Sequence, residues 1–369
     1  RDSGKYCCTH CWQRGDMDLR ESQNISEVGL HCDVAMAFYL MNKRLFKEAV
    51  MVGIKEVAAR AGVSVSVASR ALSPRPDKHA RVAEETRRRV AGMAQALGYR
   101  RNRTAEFLKR GRTPVIGVFL PDCPNRLVAD LMFGMAETAG DLSLSFALGL
   151  TNAQYRRFIE RLDDQSPCGI VSYPYFSLER RTVALLDRFC RHHPMLLLNP
   201  EVPVASVPAI TLGNREGGIM AGEHLLQRQC IEYAMVGDFY ERRAGFAAAM
   251  SAAGRDFAWF PGDAAGIAGV AGLAASTTGR IGIFAASDQL ALQVMRAIRP
   301  TGRVLGREAL VVGYDDLDLA AEADPPLTTI HQPFREQGRL AAKKIINLVY
   351  GKEEVSEQLV PRLVIRESA

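Results

Sequence analysis

The spacing of apolar residues divides the chain into stretches of different period. From Ile54 they fall at helical intervals, at Ile54, Val57, Ala58 and Ala61, and Gly62 breaks the run. Ser64 stands where a hydroxyl caps a second helix, predicted over Val65 to Leu72. The loop "SPRPDKHA" carries two prolines and Asp77, and a third helix is predicted through "EETRRRVAGMAQAL". Val82, Val90, Met93, Ala94 and Leu97 give this helix an inner face, and Gly98 suits a left-handed stop. A short basic segment, "YRRNRTAEFLKRGRT", then runs into Pro114.

Beyond Pro114 continuous apolar runs alternate with helical patterns. "VIGVFL" (Val115 to Leu120) reads as a strand covered on both faces, and "LSFALGL", "GIVSYP", "MLLLNP" and "AITLG" follow it. Helices "RLVADLMFGMAETAG", "QYRRFIERLDD" and "RTVALLDRFCRH" separate them. After helix "REGGIMAGEHLLQR" the scheme restarts with strands "YAMVG", "IGIFAAS", "ALVVGYDD" and "TTIHQP". Helices "RRAGFAAAMSAAG" and "DQLALQVMRAI" lie between these strands, and "FREQGRLAAKKIINLVYG" comes last. The pattern predicts an all-α head and an α/β body of two doubly wound lobes in series, with the cleft between them as the expected ligand site. Residues 1–50 sustain neither period, and "MVGIKEV" opens abruptly at Met51. They are read as a non-native leader or disordered extension, with a small appended module as the alternative.

Charge sharpens the division. Between Met51 and Arg112 there are 15 Lys and Arg against 5 Asp and Glu, a local +10 in a chain of net charge +6, so the remainder carries −4. A basic head on a mildly acidic body points to a polyanion partner for the head. With no run of about 18 apolar residues and no secretory pattern, the expectation is a cytoplasmic protein with no membrane partner. Cys7, Cys8, Cys11 and Cys32, with His10 and His31, imitate a zinc cluster, but a second tight pair is missing. Cys123, Cys168, Cys190 and Cys230 read as free thiols. No metal and no cofactor are expected.

In the head, Ala58, Ala61, Gly62 and Ala68 allow the close approach of two helices that a helix-turn-helix needs. The second helix then offers Val65 and Ser66 to base edges in the major groove, and Arg70 to guanine O6 and N7. Ser64, Ser69 and Thr86 are candidates for phosphate contacts. In the body, Arg242 ("ERRAGF") and Asp288 ("ASDQLAL") stand at strand-to-helix junctions, where open α/β sheets bind ligands. A guanidinium and a carboxylate in one cleft suit vicinal hydroxyls. The alternative makes both capping or interlobe residues. Asn125, Arg126, Tyr173, Phe239 and Tyr240 are secondary candidates. Asp315 and Asp316 ("GYDD") lack a third acidic neighbour for a metal. His192 and His193 read as surface or helix-capping residues.

"IKEVAARAGVSVSVASRAL", "TRRRVAGMAQALGYRRNRTAEFL", "GYDD" and "PPLTTIHQPFREQGRLAAKKIINLVYGK" together resemble the lactose-repressor (LacI/GalR) family, from about Val52 to the C-terminus. The resemblance implies a periplasmic-binding-protein-like body fused to the helix-turn-helix. It divides the chain into a DNA-binding domain at 51–101, a hinge at 102–112 and an effector-binding and dimerisation domain of two interleaved lobes at 113–369. It makes Asn102 to Arg110 a hinge helix that folds on operator DNA, with Leu108 wedged between base steps, Ala105 on the minor-groove floor and Asn102 near the backbone. The alternative for Leu108 is a linker residue packed on its own body. The resemblance also implies effector roles for Arg242 and Asp288, and a structural role for the "GYDD" segment. The chain departs from the family at Val67 and Ala68, where a threonine and a valine are usual, and at Arg101, where a proline is usual. Ala83 replaces a serine cap, the loop from Ser73 to Arg81 is long, and Ser287 stands where asparagine is frequent.

The expected function is a sequence-specific transcriptional repressor, a homodimer on double-stranded operator DNA, controlled by a sugar or sugar derivative in the cleft. A nucleoside or purine effector is the alternative, and a solute-binding protein a more remote one. Gly-x-Ser-x-Gly, Gly-x-Gly-x-x-Gly after the first strand, P-loop and His-Glu-x-x-His motifs are all missing, so an enzyme is not expected.

Overall fold

The computed structural model describes residues 52–73, 81–99, 107, 111–122, 126–204 and 206–369. The expectations for residues 1–50, and for Asn102, Ala105 and Leu108, lie outside these. The chain forms two compact units whose boundary falls between Arg101 and Asn102.

The first unit holds helices α1 (Ile54–Arg60), α2 (Val65–Ala71) and α3 (Glu84–Ala96). Gly62 takes φ +64°, a left-handed turn that would strain any side chain, and lets α2 fold back on α1. Val57, Ala58, Ala61, Ala68, Ala71, Val82, Val90 and Ala94 are buried together, with Met93 and Leu97 packed against them. Gly98 ends α3 at φ +63°, where the Tyr99 N–H donates to the Ala94 carbonyl at 2.8 Å. Ala83 leaves α3 without a side-chain cap.

The second unit contains two six-stranded sheets. Lobe 1 has β1 (Thr113–Leu120), β2 (Ser143–Leu148), β3 (Pro167–Ser172), β4 (Met195–Leu198), β5 (Ala209–Leu212) and β11 (Glu357–Leu359), in the order β11-β5-β4-β3-β1-β2. Lobe 2 has β6 (Glu232–Val236), β7 (Ala258–Phe260), β8 (Ile281–Ala285), β9 (Ala309–Asp315), β10 (Thr328–His331) and β12 (Arg362–Val364), in the order β12-β10-β9-β8-β6-β7. Pairing is parallel apart from β10 with β12. β3, β4 and β8 are buried along their whole length, as their unbroken apolar runs predict.

The serial reading of the lobes is corrected, and the interleaved one observed. The chain passes from lobe 1 to lobe 2 after β5, returns before the helix Phe334–Val349, and crosses again between β11 and β12. That returning helix packs on Arg126–Ala139 of lobe 1. A Cβ on Gly134 would lie 2.0 Å from the Arg335 carbonyl oxygen, so only glycine admits this approach. The helices Asn214–Gln227 and Tyr240–Ala252 of lobe 2 repeat the device at Gly245, whose Cβ would meet the Arg215 carbonyl oxygen at 1.9 Å. Asn214–Gln227 and Phe334–Val349 are the helices that follow the first two crossings between lobes.

Candidate functional site

In the head, the Ser64 hydroxyl accepts from the Val67 N–H at 3.3 Å and caps α2, as expected. Ala68 and Ala71 bury the inner face, so Ser64, Val65, Ser66 and Ser69 are exposed on the outer one. Positions 65, 66, 69 and 70 share that face by helical period. Arg70 leans back along it and donates to the Ser66 hydroxyl at 3.4 Å, which lies 3.1 Å from that of Ser64. The predicted reading residues thus share one outer face of a short helix, with Val65 and Ser66 in its first turn and Arg70 in its last. Thr86, in the first turn of α3, is half-buried.

In the body a cavity of about 460 Å³ is lined from both lobes at the C-terminal ends of the strands. Arg242, in the first turn of Tyr240–Ala252, is 5% exposed and lies in its wall. Its guanidinium is sandwiched between the rings of Tyr314, 3.6 Å from the centroid, and Phe239, at 4.1 Å. Nε donates to Asn214 Oδ1 at 2.9 Å, and Nη1 donates to the Ala286 carbonyl. Nη1 also stands 3.5 Å from Asp315 Oδ1. A flat cation is therefore held rigidly in the cavity wall.

Asp288, the other expected effector residue, lies behind the cavity wall. Asp288 is fully buried and is not in the cavity wall. Its Oδ2 accepts from the Leu317 N–H at 2.7 Å, and its Oδ1 accepts from the Thr329 hydroxyl. Burial pushes its carboxyl up to about 7, against the pull of both hydrogen bonds. It ties the start of its helix to Leu317 after β9 and to Thr329 in β10. Two carboxylates do line the cavity, Asp238 and Asp315, and the segment of the second was expected to be structural only. Asp315 and Asp316 take φ +116° and +57°, rare for side-chain-bearing residues. This twist at the end of β9 separates the neighbours. Asp315 accepts from Gln332 Nε2 at 2.6 Å and pairs with Arg242. Burial nevertheless holds it above the ordinary carboxylate range. Asp316 instead meets His331 Nδ1 at 2.9 Å and Arg366 Nη2 at 2.7 Å, and is pulled down to about 2, first by the His331 hydrogen bond.

Tyr173, Phe239 and Ser287 line the cavity, and Tyr240 does not. Ser287 also caps its helix by accepting from the Leu290 N–H at 3.2 Å. Arg126 lies outside the wall and pairs with Asp318 across the lobes. Asn125 is outside the described residues. Sequence reasoning missed Asn199, Asn214 and Gln332 as wall residues, although each follows a strand end. Among the described residues no cluster of His, Cys, Asp and Glu could hold a metal, and no helix is long and apolar enough to cross a membrane.

Two family profiles match the chain: bacterial regulatory proteins of the lacI family over residues 53–102, and the periplasmic binding protein-like domain over residues 223–369. The HTH-type transcriptional regulator RegA of Clostridium saccharobutylicum is 26% identical over 336 residues, covering 85% of this chain and 98% of its own. The HTH-type transcriptional regulator CelR of Thermobifida fusca is 27% identical over 339 residues, covering 85% and 97%. The HTH-type transcriptional repressor PurR of Vibrio campbellii is 26% identical over 338 residues, covering 86% and 98%. Among solved structures, a CelR–cellobiose complex shares the fold at a TM-score of 0.60 and 24% identity, covering 86% of this chain and all (100%) of its own. The lac repressor dimer bound to operator and the anti-inducer ONPF does so at 0.60 and 23%, covering 86% and 98%.

Proposed function

We infer, because the chain belongs to the lacI family of bacterial regulatory proteins, that it is a transcriptional repressor whose grip on operator DNA is set by a sugar or sugar derivative bound between the lobes of its body. It is a regulator and not an enzyme. Its action lies in the cytoplasm, on nucleoid DNA. Residues 51–101 form the DNA-binding domain, 102–112 the hinge and 113–369 the effector-binding and dimerisation domain.

The observation that carries this reading is Arg242, a buried guanidinium in the wall of a cavity that both lobes build. A ligand bridging Arg242 and Asp315 on lobe 2 to Asn199 on lobe 1 binds the closed arrangement better than the open one. Moving a two-state balance from 1:99 to 99:1 takes about 5.5 kcal/mol of such differential binding, within reach of several directional hydrogen bonds. On the DNA side the outer face of α2 supplies Val65, Ser66 and Arg70 for base edges, and Ser64, Ser69 and Thr86 for phosphates. Asn102, Ala105 and Leu108 complete the contact through the hinge.

Homodimerisation has a surface to use. On the edge strand β2, Phe146 and Leu148 point to one side and are 37% and 53% exposed. Phe133, on the helix Arg126–Ala139 beside that strand, is 59% exposed. An apolar edge of this kind is normally covered.

A second effector reading, a nucleoside or purine, draws on the Tyr173 and Phe239 rings in the wall and on the similarity to PurR. Calorimetry decides between the two. The sugar reading expects a sugar to bind wild type and to lose at least tenfold in affinity with Arg242→Ala; nucleosides binding where sugars fail would replace it.

A further inference from the structure

The cavity around Arg242, the inner chamber, shares part of its wall with an adjoining outer chamber of about 650 Å³. Tyr173, Tyr175, Asn199, Leu212, Asn214 and Phe239 face both. Each volume alone falls in the range of about 300–1,000 Å³ that holds one small molecule. A single ring against Arg242 would leave the outer chamber to water.

The outer chamber carries two features that bear on what it binds. Tyr175 and Tyr240 stand in its wall 50% and 69% exposed, although large aromatic rings normally bury. Its charged side chains are Glu201, Glu216 and Glu241 against Arg215 alone. Glu201 accepts from the Ser177 hydroxyl and Glu216 from Gln358 Nε2 at 3.3 Å, so two of these carboxylates are held in place. The inner chamber adds Asp238 and Asp315 against Arg242. Acidic side chains outnumber basic ones in both chambers, which repels phosphates and carboxylates. Carboxylates accept hydrogen bonds from neutral hydroxyls, and exposed aromatic faces take the apolar face of a ring.

Resting on the sugar reading above, we propose that the effector is an uncharged two-ring glycoside, one ring held by Arg242 and Asp315 and the other against Tyr175 and Tyr240. The inner chamber alone selects a ring with adjacent hydroxyls. The outer chamber sets length and excludes charge.

The test is calorimetric titration of the full chain with cellobiose, maltose, lactose, trehalose, glucose, galactose, glucose 6-phosphate and glucuronate. At least one neutral disaccharide binds at least tenfold tighter than any monosaccharide or anion in this panel. Tyr240→Ala, and independently Tyr175→Ala, cut that preference at least fivefold. Glu201→Gln with Glu241→Gln raises the affinity for glucose 6-phosphate at least fivefold relative to glucose. The proposal is overturned if a monosaccharide or an anion binds tightest, if no disaccharide binds, or if both tyrosine variants keep the full preference. Should sugars still bind in those cases and Arg242→Ala still abolish the binding, the sugar reading survives and only the two-ring claim falls. Should none of these sugars bind while adenosine, added as a control, does, both fall.

Discussion

Arg242→Ala removes more than a ligand contact. The Arg242 and Asp315 side chains are 6% and 13% exposed, so deleting the guanidinium leaves a carboxylate nearly buried with Gln332 as its remaining charge-stabilising donor. Breaking a buried pair from one side costs about 3–5 kcal/mol, much of it from the orphaned charge. Replacing Asp315 as well removes that charge. Arg242→Ala with Asp315→Asn is therefore expected to be more stable than the two single changes added together, by about 1–3 kcal/mol. Urea unfolding of wild type, both single variants and the double variant measures this coupling. The pH dependence supplies an internal check. Burial already raises Asp315 in the folded state, and losing Arg242 raises it further. The folded Arg242→Ala variant then holds a proton above about pH 4 that the unfolded chain has released, so its stability is present at low pH and lost as pH rises. It recovers part of its deficit on going from pH 8 to pH 5. Additive single effects to within about 0.5 kcal/mol, together with a deficit that does not change with pH, would refute the buried-pair reasoning.

Asp288 gives a second pH signature. Its carboxyl is pushed up from 3.8 to about 7, a separation worth about 4 kcal/mol, so wild-type stability falls by up to that amount as pH rises from 4 through 7. Asp288→Asn flattens this slope in thermal melts, while an unchanged slope would show that another group causes it. Arg70→Ala loses about 1–3 kcal/mol of discrimination between operator and mismatched sites in competition binding, and unaltered selectivity would remove Arg70 from the reading face. Leu148→Asp shifts the sedimentation profile toward monomer, and an unchanged dimer would place the interface elsewhere. Operator affinity falls steeply between about 50 and 200 mM salt, and a flat response would contradict phosphate contacts by the basic head.

The head was readable because each of its residues answers to a single local rule. Gly62 and Gly98 take the left-handed turns their positions demand, Ser64 caps, and the inner face of α3 follows the helical period. The buried strands were readable as unbroken apolar runs. The helix Ala264–Ser276 was missed because "AAGIAGVAGLAAS" has glycine at Gly266, Gly269 and Gly272 and no polar face, so neither propensity nor period marks it. The strands β7, β11 and β12 are three residues long, too short to show alternation. Arg242 was singled out from its place after a strand, but the same rule could not rank Asp288 against Asp315. One follows the end of β8 and the other ends β9. Only the positive φ at Asp315 turns one carboxylate into the cavity, and the closure of Leu317 and Thr329 over Asp288 hides the other. Interleaving was equally hidden, since the helix Phe334–Val349 has the same period whichever lobe it covers.

Coupling between cleft and head is tested most directly by fluorescence anisotropy of the full chain on its selected operator, with and without the saturating sugar, paired with titration of the sugar in the presence and absence of that operator. The account predicts a change in operator Kd of at least tenfold, about 1.4 kcal/mol, and an equal factor in sugar affinity. Equal affinity for operator and random duplex under both conditions, or a sugar that binds without altering operator affinity, would contradict it.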